Sequence, residues 1–264
     1  MRQLFQNLKE YKAYLGYAPK SILKTEVADT YLNWLWWFLE PLLFMLVYTF
    51  IAGFIFSKKV EYFPIFVFIG LNCWNFFDRS IKRGVTLVKY YKGIFSKIYV
   101  PKYIMLLVQM FVEGIKIAIS YLLVIIMMFI YKVPLTWHIL EALPLFILLF
   151  ILSFGGASIM LHFGVFIKDL ANIVTVILRL FFYLSGIFYD IGANKTIANN
   201  ALYSTILLRV NPIAMIMDGL RNCLLYGQSP DWLAVGIWTV LGVLLCAFGV
   251  HLIHKYESGY IKIS

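Results

Sequence analysis

The chain has 264 residues, 62% of them hydrophobic and only 14% charged, with a mean hydropathy of +0.83. Soluble domains are about half apolar and a quarter charged, so this composition excludes a water-soluble enzyme and points to a membrane protein. The formal net charge of +10 does not imply nucleic acid, because the cations fall between apolar runs and not on a soluble module.

From the amino terminus, Leu4, Leu8, Tyr11 and Leu15 recur at helical spacing while Lys9 and Lys12 lie elsewhere on the turn. This predicts an amphipathic helix in the interface plane. After Pro19 a second amphipathic piece, SILKTEVADTYLNW, carries Leu23, Val27, Tyr31 and Trp34 on one face. No secretory signal precedes the first apolar run, so the amino terminus is expected in the cytosol. Crossing a bilayer takes ~20 mainly apolar residues, and such windows predict six transmembrane helices near 34–56, 62–80, 103–131, 139–167, 170–189 and 232–254. The expected fold is all-α, a single polytopic transmembrane domain over 1–264. Its parts are an interfacial segment (1–33), spans one to five (34–189), an external hairpin (190–231), span six (232–254) and a cytoplasmic tail (255–264).

An even number of spans puts both termini on one side. Placing them inside collects fifteen lysines and arginines in the tails and inner loops against six outside, as the positive-inside rule requires of the cytoplasmic face. The stretch LVKYYKGIFSKIYVPKYIMLL (87–107) then faces the cytosol. A solvated connector accounts for its lysines but not for Tyr90, Tyr91, Ile94, Phe95 and Tyr99, because exposing so much apolar area to water is unfavourable. These residues predict a docking surface or a short interfacial helix, with Tyr91 and Phe95, four apart, on one face. The external segment ALYSTILLRVNPIAMIMDGLRNCLLYG holds two apolar pieces too short to span, separated by Asn211 and Pro212. Asn before Pro is a good helix start, so two short re-entrant helices are expected before the last span.

Charges within spans are costly and default to functional readings. Glu113 and Lys116, three apart, either neutralise each other or act in function. Arg179 is expected to face a pore or a carboxylate such as Glu40, and Glu40-Pro41 reads as a hinge in span one. Trp34, Trp36, Trp37, Phe38 and Tyr48 of span one and Phe181, Phe182, Tyr183, Phe188 and Tyr189 of span five fit an interfacial belt with core packing, or a channel lining. His251 and His254 lack a third ligand nearby, His138 and His162 are isolated, and Cys73, Cys223 and Cys246 have no paired spacing. No metal site, disulfide framework or catalytic residue is assigned.

Four blocks in order, NWLWWFLEPLLFMLVYTFIAGFIF, IFSKIYVPK, KDLANIVTVILRLFFYLSGIFYD and the NP-containing hairpin, resemble the membrane subunit of ABC exporters of lipid-linked polysaccharide, the O-antigen and teichoic-acid exporters. The resemblance covers nearly the whole chain. It implies a bacterial inner-membrane permease in which Lys89, Tyr90, Tyr91, Lys92, Ile94 and Phe95 form a coupling helix seated on a separate ATPase. It further implies two copies of the chain around the pore, driven by two ATPase subunits that carry ATP and magnesium, with no cofactor on this chain. The phosphate-binding pattern GxxxxGK[ST] is absent from the sequence, consistent with that division of labour. Spans one and five are then pore-lining, with Trp34, Trp36, Trp37, Tyr48, Phe182 and Tyr183 as candidate contacts for sugar rings. Lys20, Lys24 and Arg79 are candidates for a lipid pyrophosphate, although positive-inside bias explains them equally. Competing readings are a permease of the same fold for a drug, a haem-related molecule or a lipid, and an ion-coupled transporter with paired intramembrane carboxylates.

Overall fold

The computed structural model describes residues 2–28, 33–55, 60–189 and 209–263. Among them every regular element is helical: α1 (Arg2–Glu10), α2 (Lys12–Ala28), α3 (Trp36–Ile55), α4 (Phe63–Tyr90), α5 (Lys92–Phe95), α6 (Lys102–Ile130), α7 (Ala142–Phe166), α8 (Leu170–Leu184), α9 (Pro212–Arg221) and α10 (Trp232–Ile263). Three helical stretches, Lys102–Ile130, Trp137–Phe166 and Trp232–Glu257, are long and apolar enough to cross a membrane, and Leu39–Ile51 and Leu170–Leu184 are shorter apolar helices. The first of the two expected external helices, and Tyr31, Lys58, Lys59 and Lys195, lie outside the described residues, as does the side chain of Phe38.

Helix α7 is the hub, packed on α4 along one side and α10 along the other. The sequence FGGAS makes this possible. Gly84 of α4 lies against the carbonyl of Ala157, and Gly164 of α7 against that of Val85, so closely that neither position has room for a Cβ. On the far side a Cβ at Gly249 would come within 2.6 Å of the Ser158 Cβ. Where lipid replaces water, helices are held by such close backbone contact, since burying apolar area gains little over contact with acyl chains. Gly84→Leu is therefore expected to prevent accumulation of folded protein, read by size-exclusion chromatography of detergent extracts. Gly16→Ala, where nothing lies within 4 Å, is the neutral control.

Three elements depart from the sequence expectations. Helix α4 does not stop near residue 80 but runs to Tyr90, and its 28 residues span ~42 Å, more than the hydrocarbon core. Arg79, Lys82 and Arg83 belong to this projecting end and not to a loop, because Asp78 of α4 itself and acids on three other helices, Glu26, Glu40 and Glu113, pair with them. Helix α2 continues through Pro19, and the break falls at Tyr11 instead. Burial of Ala18 and Leu23 and packing on α6 hold the helix across the lost hydrogen bond. The amino-terminal segment thus packs on the protein itself, with Tyr14 hydroxyl 3.4 Å from Met105 sulfur and Asn7 bonded to Tyr103. Helix α10 also continues past residue 254 to Ile263, so the described part of the tail is helical.

Candidate functional site

Helices α3, α4 and α8 enclose a groove of about 450 Å³. Phe44 and Tyr48 come from α3, Trp74, Asn75, Asp78 and Lys82 from α4, and Thr175, Arg179, Phe182 and Tyr183 from α8. Its aromatic part is continuous: Tyr48 stacks on Phe188 at 3.6 Å between centroids, Phe188 meets Phe182 at 5.4 Å, and Phe182 meets Trp74 at 5.8 Å. Three of the six aromatics singled out in the sequence, Tyr48, Phe182 and Tyr183, therefore share one wall system. Trp34 and Trp36 are exposed elsewhere, and Trp37 sits under the Lys116 ammonium, 5.6 Å from its ring centre. Trp74 completes the aromatic wall and was not singled out, because in sequence it reads as core of span two. Glu40 and Arg179 line the same groove without pairing. Glu40 is held instead by Arg79, at 2.7 Å.

Behind the groove lies a balanced cluster of six charges. Glu113 is 3% exposed and meets Arg83 at 2.9 Å, Lys116 at 3.3 Å and Arg79 at 3.6 Å. Glu26 of α2 meets Lys116 at 2.8 Å and Arg83 at 3.5 Å. Three acids and three bases from α2, α3, α4 and α6 thus neutralise one another where hydrocarbon or protein would penalise each alone. The near pairing of Glu113 and Lys116 was legible from their spacing. The partners from α2, α3 and α4 were not, since they lie between 30 and 90 residues away in sequence.

The cluster reaches the segment between α4 and α6 through Gln109, whose side chain contacts Arg83 and donates to the Tyr91 hydroxyl at 2.6 Å. Burial pushes the Tyr91 phenol above its ordinary range, with a smaller contribution from Tyr90. Tyr91 and Phe95 do not both face outward: Tyr91 is half-buried and Phe95 is 4% exposed. Lys102 explains this, because its buried ammonium lies 5.4 Å from the Phe95 ring centre, 5.3 Å from that of Tyr99 and 4.0 Å from Glu257 of α10. Tyr99 in turn donates to Glu257 at 2.7 Å. The motif IYVPK is thus a clamp that turns the chain into α6 and ties it to the end of α10. What this corner offers outward is Lys89 and Tyr90 from the end of α4 and Lys92 and Ile94 from α5. Lys20 and Lys24 are exposed on α2, while Arg79 is engaged by Glu40 and Glu113.

On the opposite side Asn211 caps α9, its side-chain oxygen accepting from the amides of Ile213 and Ala214 at 3.1 and 3.2 Å. At the other end of α9, Arg221 is buried and donates to the carbonyls of Gly186 (2.9 Å), Ile187 (3.0 Å) and Phe66 (3.2 Å), with its guanidinium 3.4 Å from the Phe66 ring centre. One side chain therefore fastens the hairpin to the end of α8 and the start of α4. His138, Glu141 and Ser229 converge within 3.3 Å nearby. Both contacts to His138 use Nδ1, so the trio is a pin between loops and lacks the relay geometry of a nucleophile.

Architecture and groove together define a multi-helix membrane protein with a polar and aromatic path beside charged supports. No family model matches the chain. It is similar to the O-antigen export system permease protein RfbA of Myxococcus xanthus, with 24% identity over 231 residues, 88% of this chain and 87% of that protein. Two proteins of the same name from Klebsiella pneumoniae are 22% and 23% identical over 242 and 244 residues, 91% of each chain.

Proposed function

We propose that this chain is the pore-forming permease subunit of an ATP-driven exporter that moves a lipid-linked polysaccharide of the O-antigen kind across a bacterial inner membrane. The observation that carries the reading is the end-to-end similarity to three O-antigen export permeases, with matches over about nine tenths of both chains. The groove between α3, α4 and α8 supplies a path suited to it. Aromatic faces let sugar rings slide by contact with their C–H surfaces while reading little of their sequence. In this reading α3, α4, α6, α7, α8 and α10 are the six spans, both termini are cytoplasmic, and two copies face each other across the path. The ATPase is a separate subunit, present twice, seated on the surface around α5. Ion coupling is disfavoured by a specific feature: Glu40, Asp78 and Glu113, the acids available for it, are each already paired with a cation.

Deleting the gene tests the function. Surface glycan should disappear and its lipid-linked precursor should accumulate inside, whereas unchanged surface glycan refutes export of such a polymer. Co-purification of an ABC-class ATPase from native membranes tests the partner. The docking surface makes its own prediction. Tyr90 is 79% exposed and Ile94 42%, so Tyr90→Ala with Ile94→Asp should leave the folded permease intact yet weaken ATPase association at least about tenfold. Pull-down with and without the double substitution checks this. Impermeant amine reagents applied to intact cells should leave Lys89 and Lys92 unlabelled.

A further inference from the structure

Groove and supporting cluster together hold one more cation than acids. Within the groove the Glu40 carboxylate is held by Arg79 at 2.7 Å and the Asp78 carboxylate by Lys82 at 2.8 Å. The cluster behind is balanced, with Arg79, Arg83 and Lys116 matched by Glu26, Glu40 and Glu113. Arg179 is left over. It lines the groove near the middle of α8, and none of the hydrogen bonds or ion pairs among the described residues involves it. An uncompensated cation in mid-span is costly to insert, and it persists where a wet path or a ligand compensates for it. Its neighbours on α8 fit a particular ligand: Phe182 and Tyr183, three and four residues further on, stand on the same helical face and line the same groove.

We propose that Arg179 is an anion-binding subsite of this groove, taking a phosphate or carboxylate carried by a glycan while Phe182 and Tyr183 take the adjoining sugar ring. The planar guanidinium suits both anions, because two parallel N–H donors match two oxygens of either group. The inference rests on the export reading and narrows it. The cargo presents a negative charge within the membrane path, supplied either by a lipid pyrophosphate or by an acidic sugar.

The full chain in phosphatidylcholine nanodiscs provides the test, with farnesyl pyrophosphate and tetragalacturonate as anionic probes and farnesol and maltotetraose as their neutral counterparts. Arg179→Gln should weaken binding of one anionic probe about tenfold or more, with its neutral counterpart unaffected, and Arg179→Lys should retain most of the affinity. Loss for farnesyl pyrophosphate assigns the anion to the lipid carrier, and loss for tetragalacturonate assigns it to the glycan. The proposal is overturned if the wild-type chain binds neither anion, if both bind equally to wild type and Arg179→Gln, or if the neutral probes lose as much. Gene deletion separates this from the export reading: intact surface glycan in the deletion strain defeats that reading whatever the probes do. Loss of glycan with charge-insensitive probes defeats only the subsite.

Discussion

Glu113→Gln is expected to lower the thermal midpoint of the purified protein by roughly 10 °C, the shift corresponding to about 3–5 kcal/mol in a chain of this size. The substitution hardly changes shape and removes one charge. What it leaves is Arg83, Lys116 and Arg79, all within 3.6 Å of a site 3% exposed, with only Glu26 and Glu40 to balance them. The penalty comes from the cations left without a counter-charge more than from the lost attraction. Glu113→Gln combined with Lys116→Met restores neutrality and should recover at least half of the loss. Thermal scans of the single and double variants check both statements. A single variant as stable as wild type would show that the cluster is not a support.

The second large effect is expected at Arg221. Arg221→Met keeps most of the side chain's bulk but leaves the carbonyls of Gly186, Ile187 and Phe66 without their donors. Each stranded buried acceptor costs about 1–3 kcal/mol, so the combined effect is large against a total stability of roughly 5–15 kcal/mol. Arg221→Lys should rescue little, because an ammonium at a single point does not span three carbonyls and loses the planar contact with the Phe66 ring. Limited proteolysis checks it: cleavage within 190–231 should accelerate in both variants while α4, α7 and α10 stay resistant. Equal protection in Arg221→Lys and wild type would mean that charge alone, and not the three-way fork, holds the hairpin.

These two residues mark the boundary of what could be read from the chain directly. Both were visible as charges, yet one was read as half of a local pair and the other as a cation of the external loop. Asn211-Pro212 was read correctly as a helix start because capping is local, involving only the next three residues. The apolar windows end the second span at residue 80 and start the third at 103, yet the basic residues just past 80 continue the helix to Tyr90. Net charge lowers hydropathy whether or not each charge has a partner, and the partners here lie on α2, α3 and α6. Phe95 was placed on the outer face by its spacing from Tyr91. The Lys102 ammonium turned it inward, a contact that depends on the bend at Pro101.

Composition and apolar periodicity alone established an all-helical membrane protein, a basic and aromatic segment ahead of Pro101 and the aromatic character of the helices at Trp36–Ile55 and Leu170–Leu184. Those properties follow from short-range physics: a solvent that forbids unsatisfied backbone polar groups, and side chains repeating every turn. Packing in three dimensions alone determined which charges neutralise one another and which aromatic rings share a wall. It also left Arg179 as the groove's unmatched cation. Ion pairs and ring contacts form between helices distant in sequence, and their energies depend on distances of a few ångströms that no linear spacing specifies.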